Sequence, residues 1–147
     1  MKNAELYNKT VGILVDAYMV GKLRYSDCSV CAVGNIVAGN MGCEPRGGIT
    51  DKWGMAVIMG TGKIDTRNIT NEAIKQINIT GYSVQEIVDI EMAFAKGTGL
   101  DPFRSIDEVN FDGLCAVIDC LDKIHENTDT ELTTTSKKRF NKSLINN

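Results

Sequence analysis

The chain has 147 residues and a formal net charge of −3, enough for one core of ordinary size and too short for several domains. Hydrophobic residues make up 43% and charged residues 24%, which fits a folded chain and excludes a collagen-like, mucin-like or wholly disordered one. The weak acidic balance excludes a general duplex-binding surface, which needs a net basic face. It leaves room for a small anionic ligand held by a few local donors.

The first predicted element is an amphipathic helix over 4–21. Leu6, Ile13, Leu14, Ala17 and Tyr18 recur there at helical spacing. Gly21 ends it. No apolar run reaches the roughly 18 residues a membrane span needs: Gly12 and Asp16 interrupt the stretch from Val11 to Val20. That stretch also lacks the small-residue cleavage site of an export signal. The expectation is a cytoplasmic protein without a membrane partner. Its five cysteines, Cys28, Cys31, Cys43, Cys115 and Cys120, are then expected as thiols, and an odd count agrees.

A polar link, Lys22 to Asp27, leads into CSVCAVGNIVAGNMG. Ser26 or Asp27 can cap a second helix, since their side-chain oxygens accept the free amides of its first turn. Gly and Asn between Gly39 and Gly42 should stop it. Residues 43–63 are rich in glycine and carry the short apolar run MAVIM, Met55 to Met59. The pattern predicts a loop, a strand, a GTG turn and a partner strand at Lys63 to Thr66, a small β element over 53–66.

A short helix follows over Asn71 to Ile77. In the next, Ser83 and Glu86 have capping-box spacing, and Tyr82 can staple onto Ile87. Its buried stripe is Ile87, Val88, Ile90, Phe94 and Ala95, with Gly97 as the stop. A last helix, from Asn110 or Asp112, buries Phe111, Leu114, Cys115, Ile118, Leu121 and Ile124. The fold class expected is therefore α+β, mainly α-helical, with about five helices and one small β element. The folded domain is expected over 1–126, and 127–147 as a polar tail too poor in apolar residues to fold alone.

Cys28 and Cys31 carry the sharpest chemical signal. Three apart at the opening of a helix, they would share a face where free amides and the helix dipole favour a thiolate. Redox exchange, zinc ligation and nucleophilic attack all use that geometry; the plain alternative is two small core residues. A thioredoxin-like reading lacks its βαβ context. Structural zinc needs four ligands, so Cys43, Cys115, Cys120 or His125 would have to complete the set, and Cys115 with Cys120 has no knuckle spacing. A cysteine hydrolase would need His125, the single histidine, as base. Placed at a helix end, His125 reads better as a partner for the last carbonyls. GTGK at Gly60 to Lys63 fails as a phosphate loop because Val57 and Ile64 stand where glycine and a hydroxyl are required.

Three further residues stand out. Glu91 lies close to the buried stripe of its helix and is costly there unless bonded; Arg67, Arg104, Tyr82 or a ligand can meet it, or it sits at the edge of the stripe and reaches water. Asn35 raises the same question on the second helix. Trp53 is either a core plug or a platform for a planar ligand.

Taken together, CSVCAVGNIVAGNMG, TGYSVQEIVDIEMAF and FDGLCAVIDCLDKIH resemble a group of small uncharacterised proteins from gut Bacteroides-type bacteria and their phages and prophages. The resemblance covers roughly Val15 to His125. It is most specific from Cys28 to Asn35 and at Gly81 and Tyr82. It implies a setting only, a small intracellular accessory protein carried by a mobile element. The functional expectation is a non-enzymatic binding protein that captures a host factor or a nucleotide-like ligand near Cys28, Cys31, Asn35, Trp53, Glu91 and His125. No cofactor is expected, with zinc as the exception a Cys-based site would require; the alternatives are that zinc module or a cysteine-nucleophile hydrolase. A homo-oligomer would cover the lone β element.

Overall fold

The computed structural model describes residues 1–24, 31–43, 57–58, 63–64, 71–99 and 105–128. These contain five helices: α1 (Ala4–Met19), α2 (Ala32–Met41), α3 (Asn71–Thr80), α4 (Val84–Thr98) and α5 (Ile106–Ile124). Between α2 and α3, β1 (Val57–Ile58) pairs antiparallel with β2 (Lys63–Ile64), Val57 opposite Ile64 and Ile58 opposite Lys63.

The α+β expectation is corrected by this architecture. Each extended segment is two residues long, against the roughly five or six of an ordinary strand. One pair of that length cannot form a sheet face, and helix–helix packing builds the core. The described fold is all-α. MAVIM misled because a short apolar run between glycines has the look of a buried strand whether or not pairing propagates beyond two residues.

Local chemistry sets the helix ends. Asn3, in a left-handed conformation at φ 50°, caps α1 and accepts from the Leu6 amide at 3.2 Å. Gly42 closes α2 at φ 70°, a conformation that costs glycine nothing. The expected capping box opens α4: Ser83 Oγ accepts from the Glu86 amide at 3.1 Å, and Glu86 accepts from the Ser83 amide at 2.9 Å.

Two boundaries differ from expectation. α4 runs past Gly97 to Thr98 and ends on Gly99, in the left-handed region at φ 70°. Gly97 serves a different purpose: a Cβ there would stand 2.5 Å from Ala116 Cβ, so the glycine lets α4 and α5 meet. α5 starts several residues early, on a Ser105 cap that accepts from the Glu108 amide at 3.2 Å.

α4 and α5 form the most extensive helix pair, α1 packs on α2 and α5, and α2 also meets α3 and α4. The core they enclose includes Leu14, Ile36, Val37, Ile87, Ile90, Phe94, Leu114, Ile118 and Leu121. Full burial of each such side chain contributes about 1.5–3 kcal/mol. On α1 the buried stripe is Tyr7, Thr10, Leu14 and Ala17. Ala95, expected inside, is exposed; Thr98 takes the inward position one turn on. Among the described residues no helix is long and apolar enough to cross a membrane.

Candidate functional site

Two polar constellations cross the helix packing, and the expected site residues divide between them. Cys28 and Trp53 lie outside the described residues, as do Arg67, Arg104 and the tail from 129 onward.

The first constellation is the opening of α2. Cys31 is not inside the helix but is its cap residue, with extended backbone (φ −71°, ψ 178°). Its Sγ accepts from the Gly34 amide at 3.4 Å, the role an oxygen usually fills at this position. Glu91, half-buried on α4, reaches across to the same turn. Its Oε2 accepts from the Val33 amide at 3.4 Å, and the Cys31 thiol donates to its carboxylate. Asn35 closes the other side, donating from Nδ2 to the Lys22 carbonyl at 2.9 Å and the Cys31 carbonyl at 3.0 Å. One amide thereby ties the segment after α1 to the first turn of α2.

The electrostatics of this turn revise the thiolate expectation. The first amides of a helix attract negative charge, but here the carboxylate of Glu91 already stands among them. Burial pushes the Glu91 carboxyl above its ordinary range, and the bonds from Cys31 and Val33 pull it part of the way back. Cys31 is 4% exposed and packs in the core cluster. Its sulfur is held in hydrocarbon with one backbone donor and one carboxylate acceptor. This is a helix cap in a core position, and no open cavity is needed to account for it.

The second constellation is centred on His125, 3% exposed at the C-cap of α5. Its Nδ1 lies 2.7 Å from the Lys2 carbonyl oxygen and its Nε2 2.8 Å from the Tyr82 hydroxyl. Tyr82 Oη is in turn 2.9 Å from Thr10 Oγ1. The rings of Tyr7 and Tyr82 both stand edge-on to the imidazole, with centroids 5.4 and 5.5 Å away. Around this centre the Lys2 amide donates to the His125 carbonyl at 2.6 Å, and Lys2 Nζ pairs with Glu126 at 2.9 Å. Tyr7 donates its hydroxyl to Asp122 at 2.6 Å. Histidine thus sits where expected, at the helix end, but its ring bonds the N-terminal segment and the α3–α4 turn.

The structure therefore brings Cys31, Asn35 and Glu91 together and places His125 in a separate network. Both ring nitrogens of His125 are engaged there, so its use as a zinc ligand or as a base for Cys31 would first require breaking those bonds. Among the described residues no group of three or more His, Cys, Asp or Glu side chains is placed to hold a metal ion. Cys120, half-buried on α5, has its thiol pushed up by burial and then by the charge of Asp89, the opposite of an activated nucleophile.

Tyr7, Thr10, Tyr82 and Asp122 were not singled out as a polar network from the sequence. Tyr7 and Thr10 fall with Leu14 and Ala17 on one 3-4-3 stripe, a pattern that would have marked both as buried and in need of partners. No protein-family model, no curated protein and no solved structure matches the chain.

Proposed function

We propose that this chain is a non-enzymatic accessory protein that works by holding a partner, with a host protein favoured over a nucleotide-like ligand. The observation that carries the reading is the engagement of His125 by Lys2 and Tyr82. A cysteine hydrolase needs that imidazole beside its thiol, and here it serves the fold. The preference for a protein partner rests on Glu91. The opening of α2 is the anion-binding feature most legible in the sequence, and an internal carboxylate already occupies it. A phosphate arriving there would have to displace it from the Val33 amide.

Large apolar side chains left exposed near the C-terminal ends of α1, α2 and α3, namely Met19, Val20, Met41 and Ile79, offer area that a protein partner or a second copy could cover. Singly exposed apolar residues are ordinary, so they support the reading without carrying it. The phage-borne, Bacteroides-type setting implied by the resemblance belongs to the same proposal.

Thermal melts with a panel of nucleotides and inorganic phosphate test it. A ligand bound only by the folded state raises the melting temperature in a saturable way, so the expected result is no shift with any member. A saturable rise with one nucleotide would replace the protein partner by that ligand. Turnover of an ester or peptide substrate that disappears in Cys31→Ser would overturn the non-enzymatic reading altogether.

A further inference from the structure

The start of α1, the α3–α4 turn and the end of α5 meet at one end of the helix bundle, where the chain continues into its tail. The Lys2 amide donates to the His125 carbonyl at 2.6 Å, and Tyr82 Oη lies 2.8 Å from His125 Nε2. Three apolar side chains belong to the segments clasped there. Met1 is 50% exposed beside Lys2, Ile79 is 48% exposed shortly before Tyr82, and Leu6 is half-buried. Leu6 lies against Gly81, where a Cβ would stand 3.1 Å from its Cδ2. A single exposed apolar side chain is ordinary; here three come from segments that converge beside the same helix end.

The sequence beyond Thr128, which lies outside the described residues, is uneven in composition. Lys137, Lys138, Arg139 and Lys142 form a basic cluster, and Phe140, Leu144 and Ile145 stand at a spacing that one face of a helix would gather. The stretch is too polar to fold by itself, so its apolar side chains can be buried only against another surface. Charge favours the rest of this chain as that surface. The whole chain carries −3 with the basic cluster included, so the remainder is more acidic still, and Glu5 is exposed next to Leu6.

We infer that Phe140, Leu144 and Ile145 dock in cis on the patch formed by Met1, Leu6 and Ile79. The link from Thr128 to Phe140 is long enough, since a dozen residues reach up to about 40 Å. Tethering at that length gives a local concentration on the order of millimolar, so a contact too weak to hold a separate peptide can hold the tail. Whether or not a host partner exists, Ile79 is then covered by the chain's own tail. A partner approaching this end of the bundle has to displace it.

Photo-crosslinking of the full chain, with p-benzoylphenylalanine in place of Phe140 and the products mapped by mass spectrometry, tests the docking. The expected products lie within one chain, on the segments around Met1 to Leu6 or Ile79 to Tyr82, with a yield that survives dilution of the protein. Ile79→Ser supplies the second arm. The position is exposed, so the helical circular dichroism should be unchanged while the crosslink yield falls several-fold. A product that joins two copies, crosslinks mapped elsewhere, no crosslink at all, or a yield indifferent to Ile79→Ser would each overturn the inference.

Discussion

Glu91 on α4 and Cys31 at the cap of α2 share one hydrogen bond across the helix packing, and the Val33 amide completes the same cluster. A carboxyl buried in this way is raised above its value in the unfolded chain, so the folded state holds the proton more tightly. Stability contributed by this group is then greatest at acid pH and declines as pH rises from the ordinary carboxyl range through Glu91's raised value. Glu91→Gln removes the titration and keeps an acceptor oxygen. Urea unfolding midpoints of the two proteins, compared from about pH 4 to 7, should show the wild type losing ground to Glu91→Gln as pH rises. A constant difference would remove the Glu91 shift.

The Tyr82 hydroxyl joins two buried polar groups, Thr10 and His125. Tyr82→Phe retains the ring and its edge-on contact with the imidazole but leaves Nε2 without its partner. The expected loss is about 1–3 kcal/mol in urea unfolding. Loss of the tertiary fold's cooperativity is not expected, because the apolar burial is unchanged.

Two glycines should respond to the same substitution with opposite signs. Gly12, inside α1, has nothing within 4 Å of where a Cβ would stand, so Gly12→Ala should stabilise by about 0.5–1 kcal/mol through helix propensity alone. At Gly97 the new methyl would lie 2.5 Å from Ala116 Cβ and 3.0 Å from the Asp112 carbonyl oxygen. Overpacking costs about 1–3 kcal/mol, which exceeds the propensity gain. Thermal melts of the two variants should move up and down respectively.

The divide between what the sequence revealed and what it concealed follows the range of the interactions. Short-range signals read well: the Ser83–Glu86 capping box, the stops at Gly21 and Gly42, and the presence of five helices. Ser105 and Glu108 repeat the same S-x-x-E spacing, and giving it the same weight would have placed the start of α5 correctly. Gly97 looked like a stop signal because sequence periodicity cannot distinguish a glycine that ends a helix from one that admits a neighbouring helix. Glu91 was recognisable as a carboxylate in need of a partner. Its partners, Cys31 and Val33, lie about sixty residues away in the chain, and only the packing of α4 on α2 brings them together. His125 and Lys2 stand at opposite ends of the described chain. Their contact is a consequence of topology, which no local pattern encodes.

The two-residue β1–β2 pair shows the reverse error. Its partners were placed correctly on either side of Gly60 to Gly62 in the sequence, yet among the described residues the pairing joins only Val57–Ile58 and Lys63–Ile64, and fold class depends on how far pairing extends.

The central claim is that Cys31 is a buried cap held by Gly34 and Glu91 rather than an exposed reactive thiol. Alkylation of the native protein near neutral pH, followed residue by residue by mass spectrometry, tests this most directly. Cys43, which is less buried, should label before Cys31, and Cys31 should react only as fast as the fold opens, with its rate rising in step with added urea. Labelling of Cys31 ahead of Cys43 in the absence of denaturant would contradict the account.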